Sequence, residues 1–404
     1  MTAALPPLAL YIHFPWCVRK CPYCDFNSHT LHGELPESRY IEALLRDLTL
    51  QADRLQARPV HTVFLGGGTP SLFSPQAVSR LLAGVRARCT LVADAEVTLE
   101  ANPGTIERGQ FAGYRTAGVN RVSLGAQSFS NEQLQRLGRI HAATDTRDAV
   151  AELRDAGITN FNLDLMYGLP HQSVSDALTD LDRAIALQPP HLSHYQLTLE
   201  PGTVFAGRPP PGLPDNDLAA DIQLACQERL ASAGYIQYEV SAYTLEHQRC
   251  RHNLNYWEFG DYLGLGAGAH GKCSVVEGTR LRVERTVRPR EPRRYLAELD
   301  LNGAIERREV CAAELPFEYL LNALRLTEGF ERQAFEARTG LPFETVVAPF
   351  LSAQGKGLVE HRGERWSATP RGLNFLNDLQ ETFLPKTVGM QAIGMSESSG
   401  TPRY

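Results

Sequence analysis

A chain of 404 residues with 43% apolar and 21% charged side chains is long enough to bury a large core, and this composition excludes collagen-like, coiled-coil and wholly disordered architectures. Forty Lys and Arg against forty-six Asp and Glu leave a formal charge of −6, so no global basic field is available to hold a nucleic-acid backbone. No uncharged apolar run reaches the ~20 residues needed to span a bilayer, and the apolar start, Met1 to Phe14, lacks the Lys or Arg of a cleaved signal peptide.

Taken in chain order, Ala9 to Phe14, Thr62 to Leu65, Glu96 to Glu100, Arg121 to Leu124, Asn160 to Leu165 and Leu192 to Leu199 read as strands. Helical periodicity fills the intervals. Glu37 to Gln56 sets Ile41, Leu44, Leu45, Leu48 and Leu55 on one face. Ser173 to Leu187 sets Val174, Leu178, Leu181 and Ile185 behind a capping box of Ser173 and Asp176. A serial βα pattern predicts a parallel sheet. The strand ends run into Trp16-Cys17, the Gly66 to Pro70 run, Glu100-Ala101-Asn102-Pro103, Gly125 to Ser128 and Asp164 to Gly168. Polar and glycine motifs gathered at one edge favour a full or partial TIM-like barrel, whose C-terminal rim assembles a site from several strands.

Beyond Pro201 a proline-rich loop leads into a predicted helix, Asp215 to Ser232, and an extended stretch, Tyr235 to Tyr243. The barrel core with its extension is assigned to 1–278, an Arg-rich connector to 279–312, and a mostly helical, winged-helix-like domain to 313–386, with a hairpin turning at Arg362-Gly363. A flexible Ser/Gly-rich tail is expected at 387–404. Seven Lys or Arg against ten Asp or Glu between 313 and 384 speak against DNA binding by that domain. The run Gly264 to Ala269 fits G-x-G-x-x-A, but extended sequence follows it, so a dinucleotide site is rejected. The Arg-rich run, interleaved with Glu277, Glu284 and Glu291, reads as solvated surface.

Three of the eight cysteines crowd into one segment, Cys17, Cys21 and Cys24. In a large chain without a leader, such a cluster reads as a metal or redox site in a reducing, cytoplasmic compartment. Three thiolates on an iron-sulfur cluster leave one iron for an exchangeable ligand. Structural zinc, with His13 or His29 as fourth ligand, is the rival.

The C-x3-C-x2-C loop after the first strand resembles the signature of the radical S-adenosylmethionine (SAM) superfamily. Tyr11-Ile12-His13-Phe14-Pro15, the Gly66 to Pro70 run and Tyr167-Gly168-Leu169-Pro170 bring the chain close to the branch that holds oxygen-independent coproporphyrinogen III dehydrogenases and haem chaperones. The resemblance covers most of the chain and implies a radical SAM partial (β/α)6 TIM-like barrel with the C-terminal winged-helix-like domain. It implies that Cys17, Cys21 and Cys24 hold a [4Fe-4S] cluster whose fourth iron takes SAM. Gly67, Gly68 and Thr69 then meet the SAM amino end, Glu100, Gln127, Arg139 and Asp164 its methionyl or ribose parts, and Tyr11 and Tyr23 flank it.

Two features separate the enzyme from the carrier. The dehydrogenase pattern calls for a further cysteine where Phe26 stands, and for a longer N-terminal extension before the cluster. His252-Asn253-Leu254-Asn255-Tyr256-Trp257 matches the H-N-x-x-Y-W motif of the haem chaperone branch, so the resemblance makes His252, Tyr256 and Trp257 haem contacts, with a buried hydrogen-bonded corner as the bland alternative. The expectation is a haem chaperone that passes haem to an acceptor haemoprotein; the enzyme question stays open, with coproporphyrinogen III oxidative decarboxylation as the alternative. A respiratory acceptor at the membrane surface, peripheral contact with the inner face of the membrane and a homodimer are compatible with the resemblance. A nucleic-acid partner is not expected.

Overall fold

The computed structural model describes residues 5–104, 109–245, 248–278, 280–300 and 305–385. Six strands, β1 (Leu8–Phe14), β2 (Val60–Gly67), β3 (Leu91–Ala101), β4 (Arg121–Gln127), β5 (Phe161–Tyr167) and β6 (His191–Gln196), lie side by side in chain order and run parallel. Consecutive order with a helix after each strand is the singly wound course of a partial barrel. The hairpin of β7 (Ile236–Glu239) and β8 (Ala242–Thr244) ends the sheet beyond β6. A seventh parallel strand, β9 (Asp261–Leu265), lies on the free side of β1. Antiparallel strands β10 (His270–Glu277), β11 (Arg280–Val287) and β12 (Glu306–Glu309) extend the sheet there.

β1 and β4 are buried along their whole lengths, as expected of parallel strands covered on both faces. Leu8, Leu10, Ile12 and Phe14 join the large apolar core, while the register aligns Tyr11 with Phe64, Phe64 with Thr98 and Thr98 with Arg121.

Several expectations shift in detail. The helix predicted over Glu37 to Gln56 breaks: it runs Glu37–Leu50, turns at Gln51 and resumes as Ala52–Leu55. Its buried stripe includes Asp47 with Ile41, Leu44 and Leu48, because Arg288 reaches it from across the sheet edge. The Val174–Ala186 helix keeps its capping box of Ser173 and Asp176. The Arg-rich stretch supplies the sheet strand β11 and the helix Pro292–Asp300 rather than a bare connector. β10 follows the Gly264 to Ala269 run, with no helix to bind a dinucleotide phosphate.

In the C-terminal region, helices Leu315–Ala323, Arg332–Thr339 and Glu344–Gly355 pack with a small sheet of β13 (Phe330–Glu331), β14 (Val359–Arg362) and β15 (Arg365–Ala368). Arg362 pairs with Arg365, so the hairpin turns through Gly363-Glu364. Phe335, Phe343, Phe350 and Trp366 fill a separate core beneath it. The expected tail, 387–404, lies outside the described residues.

Candidate cofactor site

The cysteine loop begins where β1 ends. Trp16–Cys17 pairs with His29–Thr30, and the Cys24 N–H donates to the Cys21 carbonyl at 3.1 Å, which folds the intervening segment back on itself. Lys20 Nζ donates to the carbonyls of Phe26 at 3.0 Å and Ser28 at 3.1 Å. Burial pushes the Cys17 thiol up to about 11 and raises Cys24, and the neighbouring thiols raise Cys17 further. Such thiols become ligands by exchanging their protons for a metal centre. Among the described residues no three His, Cys, Asp or Glu side chains are gathered closely enough to hold a single metal ion. His13 turns its ring to Tyr11 and the Asn27 carbonyl, both at 2.9 Å, and His29 points to Asn27 and the Arg290 carbonyl. Neither imidazole reaches toward the thiols as a fourth zinc ligand.

Beside this loop the end of β2 forms a backbone cradle. Gly67 has φ +111, and a Cβ there would come within 2.4 Å of the His13 ring. A Cβ on Gly68 would lie 2.6 Å from the Trp16 carbonyl oxygen. Only glycine leaves the peptide groups open here. The Gly67 N–H donates to Glu100 Oε2 at 2.9 Å, and Asn102 Nδ2 donates to Thr69 Oγ1 at 3.0 Å. Burial raises the Glu100 carboxyl to about 8 against the opposing pull of the Gly67 N–H, and the charge of Asp164 adds to the rise. Asp164 is also raised by burial, while Asn162 at 2.7 Å and Ser123 at 3.2 Å donate to it. Two carboxyls held near one another in a half-buried hollow suit an ammonium group and ribose hydroxyls.

Arg139 ties the two halves together. Its guanidinium donates to Cys21 Sγ at 3.7 Å, the Gly125 carbonyl at 2.9 Å and Asn102 Oδ1, while its Nε is buried without a partner. That unpartnered donor, on a guanidinium bound to Cys21, fits a ligand carboxylate. Gln127 takes the unusual φ of +64 at the end of β4 and accepts from the Tyr195 hydroxyl at 2.8 Å. Tyr23 packs against Phe205, with ring centroids 6.3 Å apart. Thus the rim unites Cys17, Cys21, Cys24, Gly67, Gly68, Thr69, Glu100, Gln127, Arg139, Asp164 and Tyr23, with Tyr11 one layer below. Asn102 and Asn27 are further organisers that sequence reading passed over. Asn102 was signalled by its place in the Glu100 to Pro103 strand end; Asn27, which binds the carbonyls of Ala267 and Arg290 at 2.9 Å, carried no local signal.

The helix Arg251–Trp257 lies below this rim, with the His252 ring 6.5 Å from that of Tyr11. Glu96, near the start of the buried part of β3, accepts from the N–H groups of Arg251 at 3.1 Å and His252 at 3.0 Å, a carboxylate at a helix N-terminus. His252 is 1% exposed. Its Nδ1 lies 2.7 Å from Thr62 Oγ1 and its Nε2 3.2 Å from the Tyr256 hydroxyl, so both ring nitrogens are occupied. Burial drops its pKa to about 3, with Arg121 adding to the drop. Tyr256 packs edge-on against Tyr262, and Arg325 lies over the Trp257 ring at 4.5 Å.

A cysteine loop and a glycine cradle at the rim of a singly wound parallel sheet define a radical SAM architecture. Residues 11–184 match the model of the Radical SAM superfamily and residues 312–375 that of the HemN C-terminal domain. The chain is 51% identical over 381 residues to "Heme chaperone HemW" of Escherichia coli, covering 94% of this chain and 99% of the relative. It is 47% identical over 384 residues to the Haemophilus influenzae protein of the same description, at 94% and 98% coverage. The chain belongs to the HemW family of the radical SAM superfamily. Its fold is shared with the solved structure of coproporphyrinogen III oxidase (HemN) from Escherichia coli, with a TM-score of 0.78 at 23% identity over 94% of this chain and 90% of that one.

Proposed function

We propose that the chain is a haem carrier that binds haem and delivers it to an acceptor haemoprotein. The observation that carries this reading is the near-full-length identity of 51% to a heme chaperone HemW. Phe26 at the position where the dehydrogenase pattern calls for another cysteine supports it. The likeness to the oxidase structure is one of fold, and fold does not set function.

Cys17, Cys21 and Cys24 would hold a [4Fe-4S] cluster, with SAM between the Gly67–Thr69 cradle, Glu100, Asp164 and Arg139. The cluster supplies an open iron for ligand exchange when bound. The chain's own residues do the rest: the cradle offers peptide groups, the paired carboxyls take the ammonium and hydroxyls, and Arg139 takes the carboxylate. His252, Tyr256 and Trp257 fit a structural part better than direct contact with the cargo, because haem iron would have to displace Thr62 or Tyr256 from a closed core. Among the described residues no helix is long and apolar enough to cross a membrane.

Anaerobic reconstitution followed by haemin titration tests the reading. A saturable Soret difference band beside the cluster absorption is expected; linear, unsaturable uptake would overturn it.

A further inference from the structure

Among the described residues ten large apolar side chains are exposed, and five of them, Val18, Phe26, Ile140, Leu199 and Val204, belong to three segments around the cysteine loop. The segments are physically joined. The Phe205 N–H donates to the Pro22 carbonyl at 3.0 Å, a Cβ on Gly138 would lie 2.8 Å from Pro22 Cδ, and Arg139 binds Cys21. Beneath them, Leu137, Leu197 and Phe205 form a small apolar cluster with Tyr23 packed against it, so the outer residues stand on a fixed base. Ile140 and Val204, each 64% exposed, are the extremes of the set. A concentration of this kind, rimmed by polar groups, marks a binding surface.

Two exposed cations stand beside it. Arg19 follows Val18 on the cysteine loop. Arg208 follows Val204 by one turn, its N–H donating to the Val204 carbonyl at 2.9 Å. Among the described residues neither guanidinium has an ion-pair partner, in contrast to Arg249, Arg282 and Arg285.

We infer that this outer rim is the haem-docking surface: Val18, Ile140, Leu199 and Val204 meet the macrocycle, and Arg19 and Arg208 meet its propionates. This deepens the haem-carrier reading and rests on it. SAM does not account for the patch, because the groups suited to SAM are buried or half-buried whereas the patch residues are exposed. A protein partner of ordinary size covers roughly 20–30 residues a side, more than this patch of five apolar side chains offers. A flat apolar ring with two carboxylates matches its apolar side chains and its two unpaired cations.

The test uses the full chain with its cluster reconstituted. Val204→Asp and Leu199→Asp weaken haemin binding about tenfold or more, since each takes apolar contact from the ring. Arg19→Glu with Arg208→Glu weakens it roughly fivefold, as expected for exposed ion pairs. That charge effect vanishes with haemin dimethyl ester, which has no free propionates. Leu351→Asp, at an exposed site on the C-terminal Glu344–Gly355 helix, binds as the parent chain does. Cluster absorption serves as the folding control in every case. If the parent chain saturates and the rim variants bind haemin equally well, the rim site is overturned and the carrier reading stands. Variants that bind normally but fail in transfer would make the surface a protein dock and also overturn the inference. Failure of the parent chain to bind overturns both.

Discussion

The His252 imidazole stacks on the ring of Phe64, with centroids 4.9 Å apart and planes inclined by 24°. Phe64 in turn stacks on Tyr11 at 6.3 Å, so one aromatic column runs from the Arg251–Trp257 helix toward the cofactor rim. Removing the imidazole leaves a cavity and takes away its bonds to Thr62 and Tyr256. His252→Ala is expected to cost about 2–4 kcal/mol in denaturant unfolding, with haemin affinity per folded chain unchanged. Loss of haemin binding at normal stability would return His252 to the cargo.

The same residue gives an acid signature. In the unfolded chain the imidazole takes its proton near 6.5, whereas in the fold it resists protonation until about 3. Its contribution is complete above pH 6.5 and is lost as pH falls toward 3. His252→Gln, which does not titrate, should flatten the stability profile in that window, as followed by urea unfolding at a series of pH values.

Glu100 acts in the opposite direction. Its folded carboxyl holds its proton to about 8, against 4.5 for the unfolded chain. The fold therefore binds the extra proton between these values, and the cluster-free chain loses stability as pH rises through that window. Glu100→Gln should remove about 1–3 kcal/mol of that pH dependence, because the group is only half-buried, while weakening SAM binding. Calorimetric titration of SAM and unfolding at pH 5 and 8 check the two outcomes.

Gly67→Ala places a methyl against the His13 ring at a φ of +111. A cost of about 2–4 kcal/mol and loss of SAM binding are expected. Gly33, also at positive φ but with nothing within 4 Å, isolates the backbone contribution, and Gly33→Ala should cost only about 1–2 kcal/mol. Equal effects at both sites, measured by unfolding and SAM titration, would contradict the cradle.

Asp47 and Arg288, both fully buried, form a forked ion pair with bonds of 2.8 to 3.1 Å, and the Tyr295 hydroxyl donates to Asp47 at 3.0 Å. The pair locks the first helix to the antiparallel edge of the sheet. Asp47→Asn should lower stability by about 3–5 kcal/mol, because it leaves a guanidinium buried without its counter-charge. Thermal unfolding of the cluster-free chain reads this directly.

The strands with serial order and the rim motifs were legible because each is local: a β-rich run, then a short polar turn. The break at Gln51 was not, since the Glu37 to Gln56 stripe continues on the same face. β11 looked like solvated surface because alternating Arg and Glu read as charge alone, yet Arg285 bonds Tyr262 and Arg282 pairs with Glu277 and Glu309 across neighbouring strands. His252 announced its family branch in sequence, but its burial depends on Thr62, Phe64 and Glu96, residues 156 to 190 positions away, and no local pattern reports such contacts. Arg139 meets Cys21, and Glu100 meets Gly67, for a similar reason, through strand order rather than through spacing.

Transfer is the most direct measure of the central claim. Cluster-loaded chain charged with haemin is mixed anaerobically with an apo-haemoprotein, and the acceptor's own Soret band is followed while a parallel sample receives coproporphyrinogen III, SAM and a reductant. The account predicts that the acceptor fills faster from the charged chain than from free haemin, with coproporphyrinogen III unchanged. Decarboxylation of coproporphyrinogen III without accelerated transfer would contradict it.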